Sequence, residues 1–367
     1  MGPPTGPPHP SVPGSRVPVG DRDHRSPTGT IGPAPAGRRP TCLKCGKEHD
    51  AQTAETQDSS TQEVGSMPGT IAVGLDGSPE SRAAAEWAVR EAALRGAAVK
   101  LVHVWQQVPE PIAQAPLLGA ETHQHWTERI PREAAEELAL LHPGVEVTTE
   151  QRGGHPAEVL PDLAEGAELL VLGSRALSGI GGFLVGSVGQ AVVARTDVPV
   201  VLVRAGEQAV DEHLKDPVGI PSAATAFRPV VLGLDTGSPD DEVLAFAFEE
   251  ALRRAATLTV VQGWNLPSSY AYTMAGGYDP REDLARAQAE ALTEALLPWR
   301  KKYPDVEVTE LSRIGSPASH LIDASHDASL VVVGRRIRRG TFGVHIGAVT
   351  HAVMHHATAP VAVVAHH

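Results

Sequence analysis

The sequence predicts an α/β protein built on open parallel sheets with helices on both faces. Three observations carry this. From residue 70 onward, short β-branched runs bounded by Gly or Pro alternate with Ala/Leu/Glu-rich stretches; the runs are almost continuously apolar; and the whole order occurs twice. Alternation of this kind makes βαβ units. Strands without a polar face are those that helices cover on both sides.

The first 66 residues stand outside that pattern. Eleven Pro fall within residues 1–40, and residues 1–66 hold no Phe, Trp or Tyr. Such a stretch cannot bury enough apolar surface to offset its ordering entropy, so it is expected to be disordered. It contains Cys42-Leu43-Lys44-Cys45 with His49 four residues on. That is half of a zinc ribbon, and a structural zinc takes four ligands, so two reduced thiols in a flexible arm is the preferred reading and no metal is assigned. Two Cys in 367 residues exclude a disulfide framework and fit a reducing compartment. Met67 stands directly before the first strand-like run, which makes it a candidate for the physiological start.

Charge narrows the partners. The chain has 31 Lys+Arg and 44 Asp+Glu, a formal −13, and residues 1–66 carry seven of each sign, so the whole −13 belongs to residues 67–367. A general nucleic-acid binder needs a basic stripe to displace counterions. No run approaches the roughly 20 apolar residues of a membrane span, and the N-terminus has no apolar core of signal-peptide type. A soluble, cytoplasmic protein with neither nucleic acid nor membrane as partner is expected.

The elements follow in order. Thr70–Leu75, Val99–Trp105, Val145–Thr149, Leu169–Leu172 and Pro199–Val203 read as strands. Ser78-Pro79-Glu80 before Ala83–Arg95 supplies an N-cap, a Pro at the first helical position and an acid on the positive helix end, and Gly96 ends that helix. The same succession then returns. Val230–Asp235 repeats Ala72–Asp76, Leu258–Trp264 repeats Val99–Trp105, Leu330–Gly334 repeats Leu169–Gly173, and Ala359–Val364 repeats Val198–Val203, at an offset of 159–161 residues. A constant offset over so many elements is a tandem duplication. The expected organisation is a tail (1–66), a first domain (67–204), a Gly/Pro/Ser-rich linker (205–227) and a second domain (228–367).

Neither G-x-G-x-x-G after the first strand nor G-x-x-x-x-G-K-[ST] occurs. The glycines gather after the fourth strand of the first copy, from Gly173 through Gly179, Gly181 and Gly182 to Gly186-Ser187, before a helix-like Val188–Thr196. A loop running from a strand's C-terminal end into a helix N-terminus presents free backbone N–H groups and the positive dipole end, which suits a phosphate.

At these residues the chain resembles the universal stress protein family in its tandem form, over residues 70–204 and 228–365. The resemblance rests on Val73-Gly74-Leu75-Asp76-Gly77-Ser78, Val102-His103-Val104, Val171-Leu172-Gly173-Ser174-Arg175 and Gly186-Ser187. It implies two Rossmann-like five-stranded parallel sheets, each ordered 3-2-1-4-5, and an adenine nucleotide, ATP, bound where the strand order reverses. By resemblance Asp76, beside Gly74, takes the ribose hydroxyls and Val104 lies against adenine. Gly173, Ser174, Arg175, Gly186, Ser187 and Val188 hold the phosphates, largely through backbone N–H groups. The family's G-x2-G-x9-G-[ST] pattern is met at Gly173, Gly186 and Ser187 but has Ala176 at its second glycine, where Gly179 is expected to supply the bend. In the second copy the matching positions are Asp235, Gly334, Arg335 and Gly347, with Ile337 and Ala348 at the other two. Ile resists a positive φ and Ala lacks the hydroxyl, so the second copy is read chiefly as the packing partner of the first, with a basic loop at Arg335, Arg336, Arg338 and Arg339.

Other chemistries fall away. Gly186-Ser187-Val188-Gly189 lacks the first Gly of a nucleophile elbow, since Val185 stands there. His351 and His355 have a metal-competent i,i+4 spacing but no HExxH context, and a helix C-terminus favours such His on dipole grounds. No Lys follows the last strand of either copy, against a phosphoacceptor receiver domain. Two classes remain: an ATP-binding stress-response protein acting through conformation or partner choice, with slow hydrolysis left open, and a nucleotide-independent interaction module of the same fold. The apolar edges Pro199–Val203 and Pro360–Val364 are expected to pair with one another, giving an intramolecular pseudo-dimer or a homo-oligomer.

Overall fold

The computed structural model describes residues 69–106, 120–176, 183–266, 281–337 and 346–367, with the backbone alone at 120–127, 175–176 and 183–184. Expectations for the 1–66 tail and its Cys pair, for Met67, for Gly179 and for Arg338 and Arg339 lie outside the described residues.

Strands β1 (Thr70–Gly74), β2 (Ala98–Trp105), β3 (Val147–Gly153), β4 (Leu169–Ala176), β5 (Phe183–Leu184) and β6 (Val200–Arg204) belong to the first copy. Strands β7 (Val230–Gly233), β8 (Leu258–Trp264), β9 (Val308–Ile314), β10 (Leu330–Arg336) and β11 (Val361–His366) belong to the second. The expectation of two separate five-stranded sheets is corrected. The strands form one sheet whose path runs β3-β2-β1-β4-β6-β11-β10-β7-β8-β9, with β5 paired to β4 off the path. The join is antiparallel, Val361 opposite Leu202, Ala362 opposite Val201 and Val363 opposite Val200, whereas the other contacts along the path are parallel. Each apolar final strand would otherwise leave a row of unpaired backbone groups at an edge; pairing in the chain removes both edges at once.

Helices cover both faces. On one lie α1 (Pro79–Arg95), α2 (Ala120–Leu141), α5 (Asp241–Arg253) and α6 (Arg281–Lys302); on the other lie α3 (Pro156–Leu163), α4 (Ser187–Arg195), α7 (Pro317–Ala324) and α8 (Ala348–His356). Alternation along β1 sends Ile71 and Val73 to the first core and Ala72 to the second. Each core runs unbroken through both copies, and Val64–His367 forms one compact unit. No helix among the described residues is long and apolar enough to cross a membrane.

Helix α1 begins as its sequence dictates, with the Ser78 hydroxyl accepting from the Ser81 N–H and Pro79 at the first position, and ends at Gly96 with φ 66°. Nine of its seventeen residues are buried, because it packs on the sheet and its C-terminal end also meets α5. At that seam Arg95 pairs with Glu91 and Glu250, and Arg254 pairs with Glu250 and Glu91. Burial pushes the Glu91 carboxyl up, but Arg254 and Arg95 outweigh it and hold it down at about 2. The predicted linker is itself packed: a turn at Ala209–Glu212 buries Glu212 against Arg90, and the His213 ring lies 4.1 Å from that of Phe227. Strand β3 runs on to Gly153 beyond its apolar start, its Glu150 and Arg152 lying on a sheet edge where polar side chains meet solvent.

Candidate functional site

Strand β1 is flanked by β2 on one side and β4 on the other, so the crossover direction reverses there. A crevice opens at the C-terminal strand ends of such a switch point. It holds a cavity of about 230 Å³. Val102 and Val104 from β2, Leu172 from β4 and Leu160 from α3 form apolar walls, with Pro156 beside them. Asp76, Ser78, Ser81 and Ser187 give the polar rim, and Asp76 is the one charged side chain among the described lining residues.

The Asp76 turn is tightly held. One carboxylate oxygen accepts from both the Ser78 amide and its hydroxyl, and the Asp76 N–H lies 3.4 Å from the Ser81 hydroxyl. Burial works to raise the Asp76 carboxyl, yet the Ser78 hydroxyl and amide and the Ser81 hydroxyl together leave it below the ordinary carboxylate value. The side chain is exposed and ionised at neutral pH, with its second oxygen outside these contacts. Beneath it, His103 is buried and its Nδ1 lies 2.7 Å from the Leu75 carbonyl. A carbonyl only accepts, so Nδ1 carries the proton. The sequence had placed His103 in a motif without a role; it fixes the strand-end carbonyl just before Asp76.

Opposite Asp76, the first turn of α4 closes the cavity with Ser187, Val188 and Gly189. Its N-cap, Gly186, provides no side-chain hydrogen bond, and a Cβ there would meet nothing within 4 Å. The first backbone N–H groups of a helix have no intrahelical acceptor; the first turn of α4 borders the cavity, and among the described residues no side chain caps it.

The predicted residues separate on this geometry. Gly74, Asp76, Val104, Gly173, Gly186, Ser187 and Val188 all line the cavity. Gly173 has a further reason to be glycine: a Cβ would sit 2.5 Å from the Glu80 carbonyl carbon and 2.7 Å from the Ser81 nitrogen, so β4 and the start of α1 could not approach. Ser174 is placed elsewhere. It is buried and donates to the Val203 carbonyl of β6 at 3.2 Å, since alternation puts it on the opposite face of β4 from the Gly173 position. Arg175 follows on β4, its backbone paired with Leu184 of β5.

The second copy is arranged differently. Asp235 keeps the turn of its counterpart, accepting from the Gly237 N–H at 3.0 Å. The position matching Val104 is Gly263, where a Cβ would lie 2.5 Å from the Pro317 Cα, so α7 seats directly on the strand end. Gly334 is overlain by His366, whose ring nitrogen would be 2.9 Å from a Cβ and whose Nδ1 is 3.3 Å from Asp240. Gly347 is the N-cap of α8. Arg335 departs from its predicted role as an anion ligand of the second copy. Only 2 % exposed, it donates to the Ala194 and Thr196 carbonyls of the first copy, since β10 points it into the seam.

An open, mostly parallel α/β sheet with helices on both faces and a crevice at its switch point defines the doubly wound class of fold. Within that class, the chain belongs to the universal stress protein family, whose pattern matches residues 67–204 and 226–365. It is 34% identical over 305 residues to a universal stress protein of Mycolicibacterium smegmatis, covering 80% of this chain and 96% of that one. It is 33% identical over 311 residues to universal stress protein Rv2005c of Mycobacterium tuberculosis, with the same coverage. Among solved structures, a universal stress protein from Archaeoglobus fulgidus shares the fold with a TM-score of 0.56 at 16% identity, covering 81% of this chain and 98% of that one.

Proposed function

We propose that this protein binds an adenine nucleotide, ATP first among them, in the cavity of its first copy, and acts in the cytoplasm as a stress-response regulator through the conformation or partners of the bound form. The observation that carries the reading is the pairing, across one cavity, of an ionised Asp76 and the uncapped first turn of α4. A carboxylate at a strand end accepts from vicinal hydroxyls, an apolar wall at Val104 suits a base, and helix N–H groups suit phosphate oxygens. The second copy is the weaker candidate, since its motif has Ile337 and Ala348 at two positions and Pro317 and His366 lie close against Gly263 and Gly334; one nucleotide per chain is therefore proposed.

The test is calorimetric titration of the full chain with ATP. Saturable binding of one ATP is expected; Asp76→Ala weakens it by about tenfold, the order of one hydrogen bond to a charged group. Gly186→Trp places a large side chain over the α4 N-terminus and abolishes it. Absence of saturable binding to the unmodified protein overturns the proposal in favour of a nucleotide-independent interaction module, and ATP binding that survives Gly186→Trp moves the site elsewhere.

A further inference from the structure

Helix α4 has nine residues, and its two ends face different copies. Its first turn borders the cavity of the first copy. Its last carbonyls, which have no intrahelical donor, meet Arg335 of the second. The guanidinium Nη1 donates to the Ala194 carbonyl at 3.3 Å and Nη2 to the Thr196 carbonyl at 2.6 Å. Burial lowers the affinity of Arg335 for its proton, with Asp197 opposing; a guanidinium still remains charged at neutral pH. A cation at a helix C-terminus complements the dipole.

The bracket runs one way. At the 161-residue offset, the first-copy counterpart of Arg335 is Ser174, which bonds to Val203 within its own copy. Among the described side chains of β4, none bonds to the end of α8 as Arg335 does to the end of α4. A helix this short is marginal on its own, and α4 also lacks an N-terminal side-chain cap, so tertiary contacts set its position. Besides the burial of Val192 and Val193 in the second core, two other hydrogen bonds are described: Arg195 donates to the Ala157 carbonyl at 3.2 Å, and the Gln190 amide lies 3.1 Å from His355 Nε2 of α8. Because a helix moves as a rigid rod of about 1.5 Å per residue, a shift at the clamped end is carried about 13 Å to the cavity.

We propose that Arg335 is a positioning residue for the first copy's cavity: by clamping the C-terminal carbonyls of α4 it fixes the first-turn N–H groups that receive the phosphates, and so couples the second copy to ligand binding in the first. This rests on the nucleotide reading above. It gives a use to the copy whose motif departs at Ile337 and Ala348.

The experiment compares the full-length protein with Arg335→Met, which removes the cation and both donors, and Arg335→Lys, which keeps the charge but loses the fork. Affinities for ATP and for adenosine are measured by calorimetry, and hydrogen exchange is followed at the hydrogen-bonded amides Gln190–Val193, beginning with Gln190, which donates to the Gly186 carbonyl. Arg335→Met is expected to weaken ATP by about tenfold, within the usual range of coupling between sites, to leave adenosine unchanged and to speed exchange at these amides; Arg335→Lys falls between. An unchanged ATP-to-adenosine ratio overturns the proposal, whether both affinities fall together or neither moves. If the unmodified protein binds neither ligand, the nucleotide reading fails, and exchange alone decides the clamp: unchanged exchange at Gln190–Val193 in Arg335→Met overturns it. Should Arg335→Met not fold, Arg335→Lys gives the same readouts with the same expected directions.

Discussion

At the scale of single residues, the glycines show how one residue type serves two ends. Gly186 sits in open space at the mouth of the cavity, whereas Gly173 is glycine because the backbone of Glu80 and Ser81 leaves no room for a Cβ. Spacing alone groups them as one phosphate motif; only the approach of α1 tells them apart. The charged residues of the seam teach the same lesson. Glu91 and Arg95 recur as Glu250 and Arg254 at the 159-residue offset, and each arginine pairs with the glutamate of both copies. This reciprocal pattern is that of a two-fold interface. Its sequence signal, an i,i+4 Glu–Arg pair repeated at the duplication offset, was available but reads in isolation as a solvated helix pair. Arg254 is fully buried between two buried carboxylates. Arg254→Met is therefore expected to destabilise the protein by about 3 kcal/mol, because removing one partner strands buried charge; urea unfolding at neutral pH measures it, and a loss under about 1 kcal/mol, the level of an exposed pair, contradicts the buried-box account.

Among the elements, the connector between the copies is where sequence reading fell shortest. Its Gly, Pro, Ser and charged residues describe a linker, yet Glu207, Glu212 and His213 are buried there. Burial, reinforced by Glu212 and Asp211, pushes the Glu207 carboxyl up from 4.5 to about 8. The sign of the consequence is definite. Between those values the folded state holds a proton that the unfolded chain has released, so stability falls as pH rises from 4.5 to about 8. Glu207→Gln removes that slope: thermal melts of the variant and the parent should converge near pH 4.5 and separate in favour of the variant toward pH 8. Equal separation at both pH values would count against a buried, protonated Glu207. Helix α1, by contrast, was legible from its cap to Gly96, since its start and stop are local chemistry.

For the whole molecule, the antiparallel join of β6 and β11 fuses two duplicated halves into one sheet with two continuous cores. Such a structure is expected to unfold in one calorimetric transition, its van't Hoff and calorimetric enthalpies agreeing; two resolved transitions would show that the halves keep independent cores. The sequence by itself determined the α/β class, the duplication and the strand ends that flank the switch point, because periodicity, caps and repeat offset are properties of neighbouring residues; the family resemblance added seven of the fifteen residues that line the first cavity. The tertiary structure alone decided that the two sheets are one, that the Ser174 hydroxyl and Arg335 bond to carbonyls away from their own crevices, that Pro317 and His366 lie close against Gly263 and Gly334, and that the connector buries Glu207, Glu212 and His213. Those outcomes depend on which backbone lies beside which side chain across a seam some 160 residues apart in the chain, a relation that no local pattern encodes.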